Sequence, residues 1–81
     1  MTVIEAISKR IGDLMYEKGW SIYKLSRLTG LTPHGIQVIL NKSHKDVKLT
    51  TLLLLANAFD MSVSELLNCD YFQYENLQID I

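Results

Sequence analysis

The stretch that most limits the possible folds of this chain runs from Ser21 to Asn41 and reads SIYKLSRLTGLTPHGIQVILN. Its first half predicts a short helix, because Ser21 is a good N-cap and Leu25 and Leu28, one turn apart, supply its buried side. Gly30 follows where the helix must end in the left-handed conformation, which glycine adopts without a steric penalty. A tight turn is therefore expected directly after this helix.

The second half of the same stretch predicts another helix. Thr32 can cap it, and Pro33 suits the first helical position, where the missing N–H costs least. Ile36, Ile39 and Leu40 recur at helical spacing and form an apolar face. A helix, a tight turn and a helix are typical of a helix-turn-helix motif, whose second helix enters the DNA major groove. A plain hairpin of two helices inside a bundle is the alternative.

The length of 81 residues predicts a single domain that buries about 60% of its unfolded surface. Apolar residues make up 48% of the chain, which excludes an intrinsically disordered protein. No apolar run is long enough to span a bilayer and no secretory signal begins the chain, so we expect a cytoplasmic protein with no membrane partner. The single cysteine fits a reducing compartment.

The residues that could carry catalysis or bind a metal are few and scattered. His34, His44 and Cys69 show no metal-ligand spacing. The chain has no pairing of a nucleophile with a base and no glycine-rich phosphate loop. We therefore expect neither an enzyme nor a bound cofactor, and no small-molecule ligand is inferred.

Charge is distributed unevenly along the chain, although the net charge is only −1. Residues 1–58 hold all eight basic side chains and four acids, which gives +4, whereas residues 59–81 hold five acids and no base. This asymmetry predicts a basic working face and an acidic C-terminal segment that points away from it.

Three further helices are predicted around the central stretch. Residues 2–5 and residues 62–65 read as capping boxes, which begin a first helix over Val3–Lys18 and a short fifth helix. A fourth helix is expected over Leu49–Phe59, with Leu49, Leu52, Leu55, Ala56 and Phe59 facing inward. Leu53 and Leu54 exceed what one buried face requires, so another surface should cover them. The fold class is therefore all-α, a five-helix bundle.

The composition changes after Asn68. Leu77, Ile79 and Ile81 alternate with polar residues, which favours a strand over a sixth helix. A lone strand needs an edge from another chain, which suggests a two-stranded ribbon across a dimer axis. A frayed terminus is the alternative. The expected division is a helix-turn-helix domain at residues 1–68 and a tail at residues 69–81.

The helix pattern and its landmark residues resemble the phage-repressor-like helix-turn-helix domains, also called the Cro/C1-type or XRE family. The resemblance covers about Ser8–Leu67. Its landmarks are Gly19, Ser21, Leu25, Gly30, Thr32, Ile36, Asn41 and the segment LLLLANAFDMSVSELL. The tail lies outside the resemblance.

Several departures from the family pattern stand out. The family often opens its second helix with a phosphate-binding glutamine, where this chain has Ile22, and often places a glycine at Lys42. A family ion pair is replaced by Met15 and Leu40. Replacing both members of a buried pair with packed apolar side chains is often neutral or stabilising, so we expect these two side chains to touch in the core.

The resemblance also implies which residues would contact DNA. The base-reading set is Thr32, Pro33, His34, Gln37 and Val38, and the phosphate-binding set is Ser21, Lys24, Arg27, Asn41, Lys42, Ser43 and Lys45. With no arginine in the first set, we expect a preference for A·T pairs or for DNA shape. Solvated helix residues are the alternative interpretation of His34 and Gln37.

The sequence thus predicts a sequence-specific DNA-binding transcriptional regulator of prokaryotic or phage type. Its partners would be double-stranded DNA and a second copy of the chain, with the recognition helix at about Thr32–Asn41. The expected dimer surface consists of Leu53, Leu54, Leu77, Ile79 and Ile81. The alternative is a protein-interaction module that kept the fold but lost strong DNA binding, which Ile22 and Gly35 favour.

Overall fold

The computed structural model describes residues 1–79 of the chain and confirms the all-α bundle. Five helices follow one another, and two single turns of 3₁₀-helix come after them. The helices are α1 (Val3–Lys18), α2 (Ile22–Thr29), α3 (Pro33–Leu40), α4 (Leu49–Ala58) and α5 (Val63–Leu66). The 3₁₀ turns are Asp70–Phe72 and Tyr74–Asn76. No helix in residues 1–79 is long and apolar enough to cross a membrane.

Both predicted capping boxes form. The Thr2 hydroxyl accepts the Glu5 N–H, and the Glu5 carboxylate accepts the Thr2 N–H at 2.8 Å. Ser62 and Glu65 make the same reciprocal pair at the start of α5. These backbone hydrogen bonds favour the ionised carboxylates, so the pKa values of Glu5 and Glu65 lie below their ordinary value.

One apolar cluster joins the helices. Its fully buried members come from all five helices, with Ile11, Leu25, Ile36, Leu55 and Leu66 among the least exposed side chains. Helix α3 packs against α1 and α2, whereas α4 packs against α2 and α5. The helix-turn-helix pair is therefore held from behind by α1 and α4, which leaves the other side of α3 open.

Side-chain hydroxyls fix the turn between α2 and α3. Gly30 adopts φ 80°, as the turn requires. Thr29 is buried and donates to the Leu25 carbonyl at 2.8 Å, while Ser26 donates to the Leu31 carbonyl at 2.6 Å. The expectation that Leu28 is buried is wrong, since 42% of it is exposed. Thr29 takes the inner position because it lies one turn after Leu25 on the same face.

Helix α4 also buries fewer leucines than its sequence predicts. Leu55, Ala56 and Phe59 are buried and Leu52 packs against the core, but Leu49 is 64% exposed. Its inward prediction is therefore wrong. Residue 49 is the first of the helix, and it lies beyond the edge of the buried stripe formed by residues 52, 55, 56 and 59. Trp20 closes the other end of this stripe by stacking on Phe59, with ring centroids 5.1 Å apart.

Three helices end in the same left-handed motif. At the ends of α1, α3 and α4, residues Gly19, Lys42 and Asp60 have φ of 70°, 59° and 59°. In each case the following N–H bonds to a carbonyl five residues earlier, as Ser43 does with Val38 at 3.1 Å. This is the Schellman arrangement, in which glycine is the usual left-handed residue. A lysine therefore occupies a strained position directly after α3.

The apolar replacement of the family's ion pair fits the core. Met15 is buried, and Leu40 is partly buried against the same cluster. The Leu40 carbonyl accepts a hydrogen bond from the Ser8 hydroxyl at 2.9 Å, which ties the end of α3 to α1. Direct contact between the Met15 and Leu40 side chains stays a prediction.

The C-terminal segment packs on α1 and does not form a regular strand within the described residues. Tyr71 donates to Asp13 at 2.6 Å, and Phe72 packs against the core. Gln78 forms an isolated parallel bridge with Thr2 of the same chain. The expectation that only another chain could pair with this segment is therefore wrong, because the extended N-terminus supplies an edge. The boundary at residue 68 stays a prediction.

Candidate nucleic-acid interface

The solvent-facing side of α3 carries the predicted base-reading residues. Thr32, Pro33 and His34 are exposed at its start, while Gln37 and Val38 are half-buried one turn later. Ile36 and Ile39 of the same helix are buried. Four of the five predicted residues therefore lie on α3, and Thr32 is its N-cap.

Thr32 has a structural task as well. Its hydroxyl oxygen accepts the Gly35 N–H at 3.0 Å and so caps α3. A Cβ added at Gly35 would lie 3.1 Å from this oxygen. The oxygen thus accepts the capping hydrogen bond, and Thr32 as a residue is exposed to solvent.

Gln37 and Asn41, assigned respectively to bases and to phosphate, bond to each other. The Gln37 Nε2 donates to the Asn41 Oδ1 at 2.8 Å, across one turn of α3. The Asn41 N–H also donates to the Gln37 carbonyl at 2.8 Å. Sequence reasoning placed both residues near DNA but missed this link, which the i, i+4 spacing of two amide side chains would have indicated.

The other phosphate-binding candidates lie on either side of α3. Ser21 caps α2 by accepting the Lys24 N–H at 3.2 Å. Lys24 is half-buried and Arg27 is exposed on α2. Three further candidates are exposed in the loop that follows α3, namely Lys42, Ser43 and Lys45. These candidates therefore lie along α2 and in the loop after α3. Their contact with phosphate stays a prediction.

Two of the eight basic side chains contact α5 and the C-terminal segment. The Arg10 Nε donates to the Leu66 carbonyl at 2.7 Å and its Nη2 to the Glu65 carbonyl at 3.2 Å, which caps the end of α5. The Lys9 ammonium lies 5.3 Å from the centre of the Tyr71 ring. Lys9 and Arg10 therefore interact with the C-terminal segment and α5. That the other basic side chains form one basic face stays a prediction.

Two open clefts border α3. One of 560 Å³ separates it from the loop before α4 and is lined by residues 31, 34, 35, 38, 39, 44, 46–48 and 51. The other, of 350 Å³, lies between α2 and α3 and is lined by residues 22, 23, 33, 34 and 37. His34 borders both. Three residues that line these clefts were not selected from the sequence, namely Tyr23, His44 and Lys48. Tyr23 could have been selected, because it lies two residues after the α2 N-cap and faces outward.

The predicted dimer residues come from two segments, α4 and the C-terminal segment. Leu53 and Leu54 are 53% and 38% exposed on α4, and Leu49 adds to them. Leu77 is half-buried and Ile79 is 46% exposed in the C-terminal segment. Ile81 lies outside the described residues. The exposed leucines of α4 (Leu49, Leu53 and Leu54) are called the leucine face below.

In residues 1–79 no group of three His, Cys, Asp or Glu side chains could hold a metal ion.

Comparison with known families finds that residues 10–71 match the model of the Cro/C1-type HTH DNA-binding domain. The match covers all of the helix-turn-helix motif, α4 and α5, and most of α1. No curated protein and no solved structure matches the chain.

Proposed function

Since the chain belongs to the Cro/C1-type helix-turn-helix DNA-binding family, we propose that it is a sequence-specific transcriptional regulator of prokaryotic or phage type that binds DNA as a dimer. Membership of the family already makes it a DNA-binding regulator in general, and this family is typically non-enzymatic. The sequence specificity, the dimer and a cytoplasmic location are the finer parts of the proposal.

The observation that carries the proposal is the open side of α3. Its buried side is fully used by α1 and α2, yet its outer side presents His34, Gln37 and Val38 between two clefts. An α-helix fits the major groove of B-DNA, which is about 12 Å wide. Helix α3 would therefore enter the groove with its N-terminal half nearest the base edges.

Phosphate contacts would set the position of α3, and base contacts would set the sequence. The cations Lys24 and Arg27 on one side and Lys42 and Lys45 on the other would neutralise phosphates of the two strands that border the groove. Their contribution depends on salt and is independent of sequence. With amide, imidazole and methyl groups but no arginine on α3, base readout would favour A·T pairs.

A dimer follows from the small size of one recognition helix, which reads too few base pairs for specificity in a genome. Two copies would engage half-sites about 34 Å apart. The leucine face is the best candidate surface, because Leu53 and Leu49 lie one turn apart and are more than half exposed. A ribbon formed by the C-terminal segments is the less favoured arrangement, because the Gln78 N–H is already bonded to the Met1 carbonyl at 2.8 Å.

The proposal is tested by binding to random-sequence duplex DNA at several salt concentrations, followed by selection of preferred sites. We expect affinity to fall steeply with salt and one sequence family to be enriched. Lys24→Ala and Lys45→Ala should each weaken binding to all sequences and lower the salt slope by about one unit. Lys18→Ala, a cation at the end of α1, is the control that should leave both unchanged. Absence of an enriched sequence would refute sequence-specific regulation.

A second candidate function is a protein-interaction module on the same fold that has lost strong DNA binding. The leucine face favours it, since three large apolar side chains are exposed on one short helix. Weak, salt-insensitive DNA binding combined with a tight monomeric complex with another protein would support this alternative over the first.

A further inference from the structure

The hydrogen bond between Gln37 and Asn41 restricts what Gln37 can read. A glutamine amide has two N–H donors and one carbonyl acceptor. One N–H is given to Asn41. The groups that are left to meet a base are therefore one N–H and the Oε1 of the same amide.

This remaining pair matches one base in the major groove. Adenine presents the N7 acceptor next to the N6 donor, which complements an N–H next to a carbonyl oxygen. Guanine presents two acceptors, N7 and O6, and Oε1 would lie against one of them. A glutamine with both N–H groups available could turn its nitrogen towards guanine, whereas one that is held by Asn41 cannot do so without breaking that bond.

We propose that Asn41 is a positioning residue for Gln37 and that the pair selects adenine over guanine at one base pair of the DNA site. The inference rests on the proposed function, which it deepens by assigning a base and a mechanism of selection. Asn41 keeps both of its own N–H groups, because only its Oδ1 is used by Gln37. Those N–H groups are the ones that would donate to a phosphate.

The backbone at the end of α3 holds Asn41 in place for this role. Its own N–H bonds back to Gln37, and the next two N–H groups, of Lys42 and Ser43, bond to the Ile39 and Val38 carbonyls at 3.1 Å each. The side chain of Asn41 therefore starts from a fixed backbone. Fixing a flexible side chain before binding removes an entropy cost that corresponds to roughly two- to tenfold in affinity.

The experiment compares variants on the selected DNA site and on duplexes with each base pair changed singly. Gln37→Ala first identifies the position, as the one where the preference for adenine disappears. At that position Asn41→Ala should reduce the preference for adenine over guanine by about two- to tenfold. Asn41→Asp can still accept from Gln37, so it should keep the preference while it weakens binding to every sequence through its negative charge.

Ser43→Asp is the matched control, because it adds the same charge two residues away without touching Gln37. It should weaken binding generally and leave the preference unchanged. Thermal unfolding of each variant separates a folding defect from a change in recognition, since a merely structural role would not alter base preference in the folded protein.

Two results would overturn the inference alone: an unchanged preference in Asn41→Ala, or equal loss in Asn41→Ala and Asn41→Asp. The second result would mean that Asn41 is the donor and Gln37 the acceptor. If wild-type protein binds DNA without any preferred sequence, the proposed function fails and the inference fails with it. If Gln37→Ala changes no position of a specific site, only the inference fails.

Discussion

Lys42 offers the clearest test of how stability and DNA binding are linked in this protein. It holds φ 59° in the Schellman motif after α3, where a residue with a Cβ is strained. The left-handed conformation costs such a residue about 1–2 kcal/mol. Glycine avoids that strain but loses about 0.5–1 kcal/mol more chain entropy on folding. Lys42→Gly should therefore raise the free energy of unfolding by about 0.5–1 kcal/mol.

The assay is urea and thermal unfolding followed by circular dichroism, with a rise in Tm of about 2–8 °C expected for a domain of this size. Lys42→Ala is the matched variant, because it removes the same charge but keeps the Cβ and hence the strain. Its stability should stay within about 0.5 kcal/mol of wild type. Asp60→Gly, at the same motif after α4, should stabilise without any effect on DNA.

DNA binding should change in the opposite direction from stability. Lys42→Gly and Lys42→Ala each remove one cation from the proposed phosphate contacts, so each should lower the salt slope by about 0.9. A Lys42→Gly protein that is no more stable than Lys42→Ala would refute the argument from strain. An unchanged salt slope in both variants would show that Lys42 does not contribute to DNA binding, although its backbone is strained.

Three other substitutions test separate features. Leu53→Glu should weaken self-association by at least about tenfold, because it places an unpaired charge twice in a symmetric interface; sedimentation equilibrium against Tyr16→Glu, on the exposed surface of α1, checks this, and equal dimer constants would exclude the leucine face. The lowered pKa values of Glu5 and Glu65 give stability that is present above pH 4.5 and is lost as pH falls below it. Urea unfolding of the double glutamine variant should therefore change less between pH 7 and pH 3 than that of wild type, and parallel curves would contradict the capping-box origin. Gly12→Ala should raise the free energy of unfolding by up to about 1 kcal/mol, since a Cβ there meets nothing within 4 Å, and a fall in Tm would contradict open space at this position.

Local signals in the sequence were enough to predict the helices and the helix-turn-helix motif. Caps, capping boxes and helix-ending glycines act within four residues, so Thr2, Ser62 and Gly30 could be interpreted without a partner element. The same holds for the choice of exposed residues on α3. Their assignment to bases and phosphates came from the family resemblance and stays a prediction.

Whether a residue at the edge of an apolar stripe is buried could not be predicted from local signals. Periodicity shows that a face exists, but the width of that face depends on which helices cover it. Leu28 and Leu49 fit the apolar period of their helices and are nevertheless exposed. The helices that pack against α2 (α3 and α4) and against α4 (α2 and α5) leave these two positions uncovered. Thr29 was overlooked for the reverse reason, as its hydroxyl is satisfied locally and can be buried.

The sequence by itself determined the five helices, their order and the side of α3 that faces solvent, because each depends on contacts between near neighbours. Tertiary structure alone decided which distant groups the long side chains and the C-terminal segment contact. Arg10 bonds to carbonyls 55 and 56 residues away, and Gln78 pairs with Thr2 across almost the whole chain. Such contacts leave no periodic trace in the sequence, since any exposed backbone group within reach can serve as the partner.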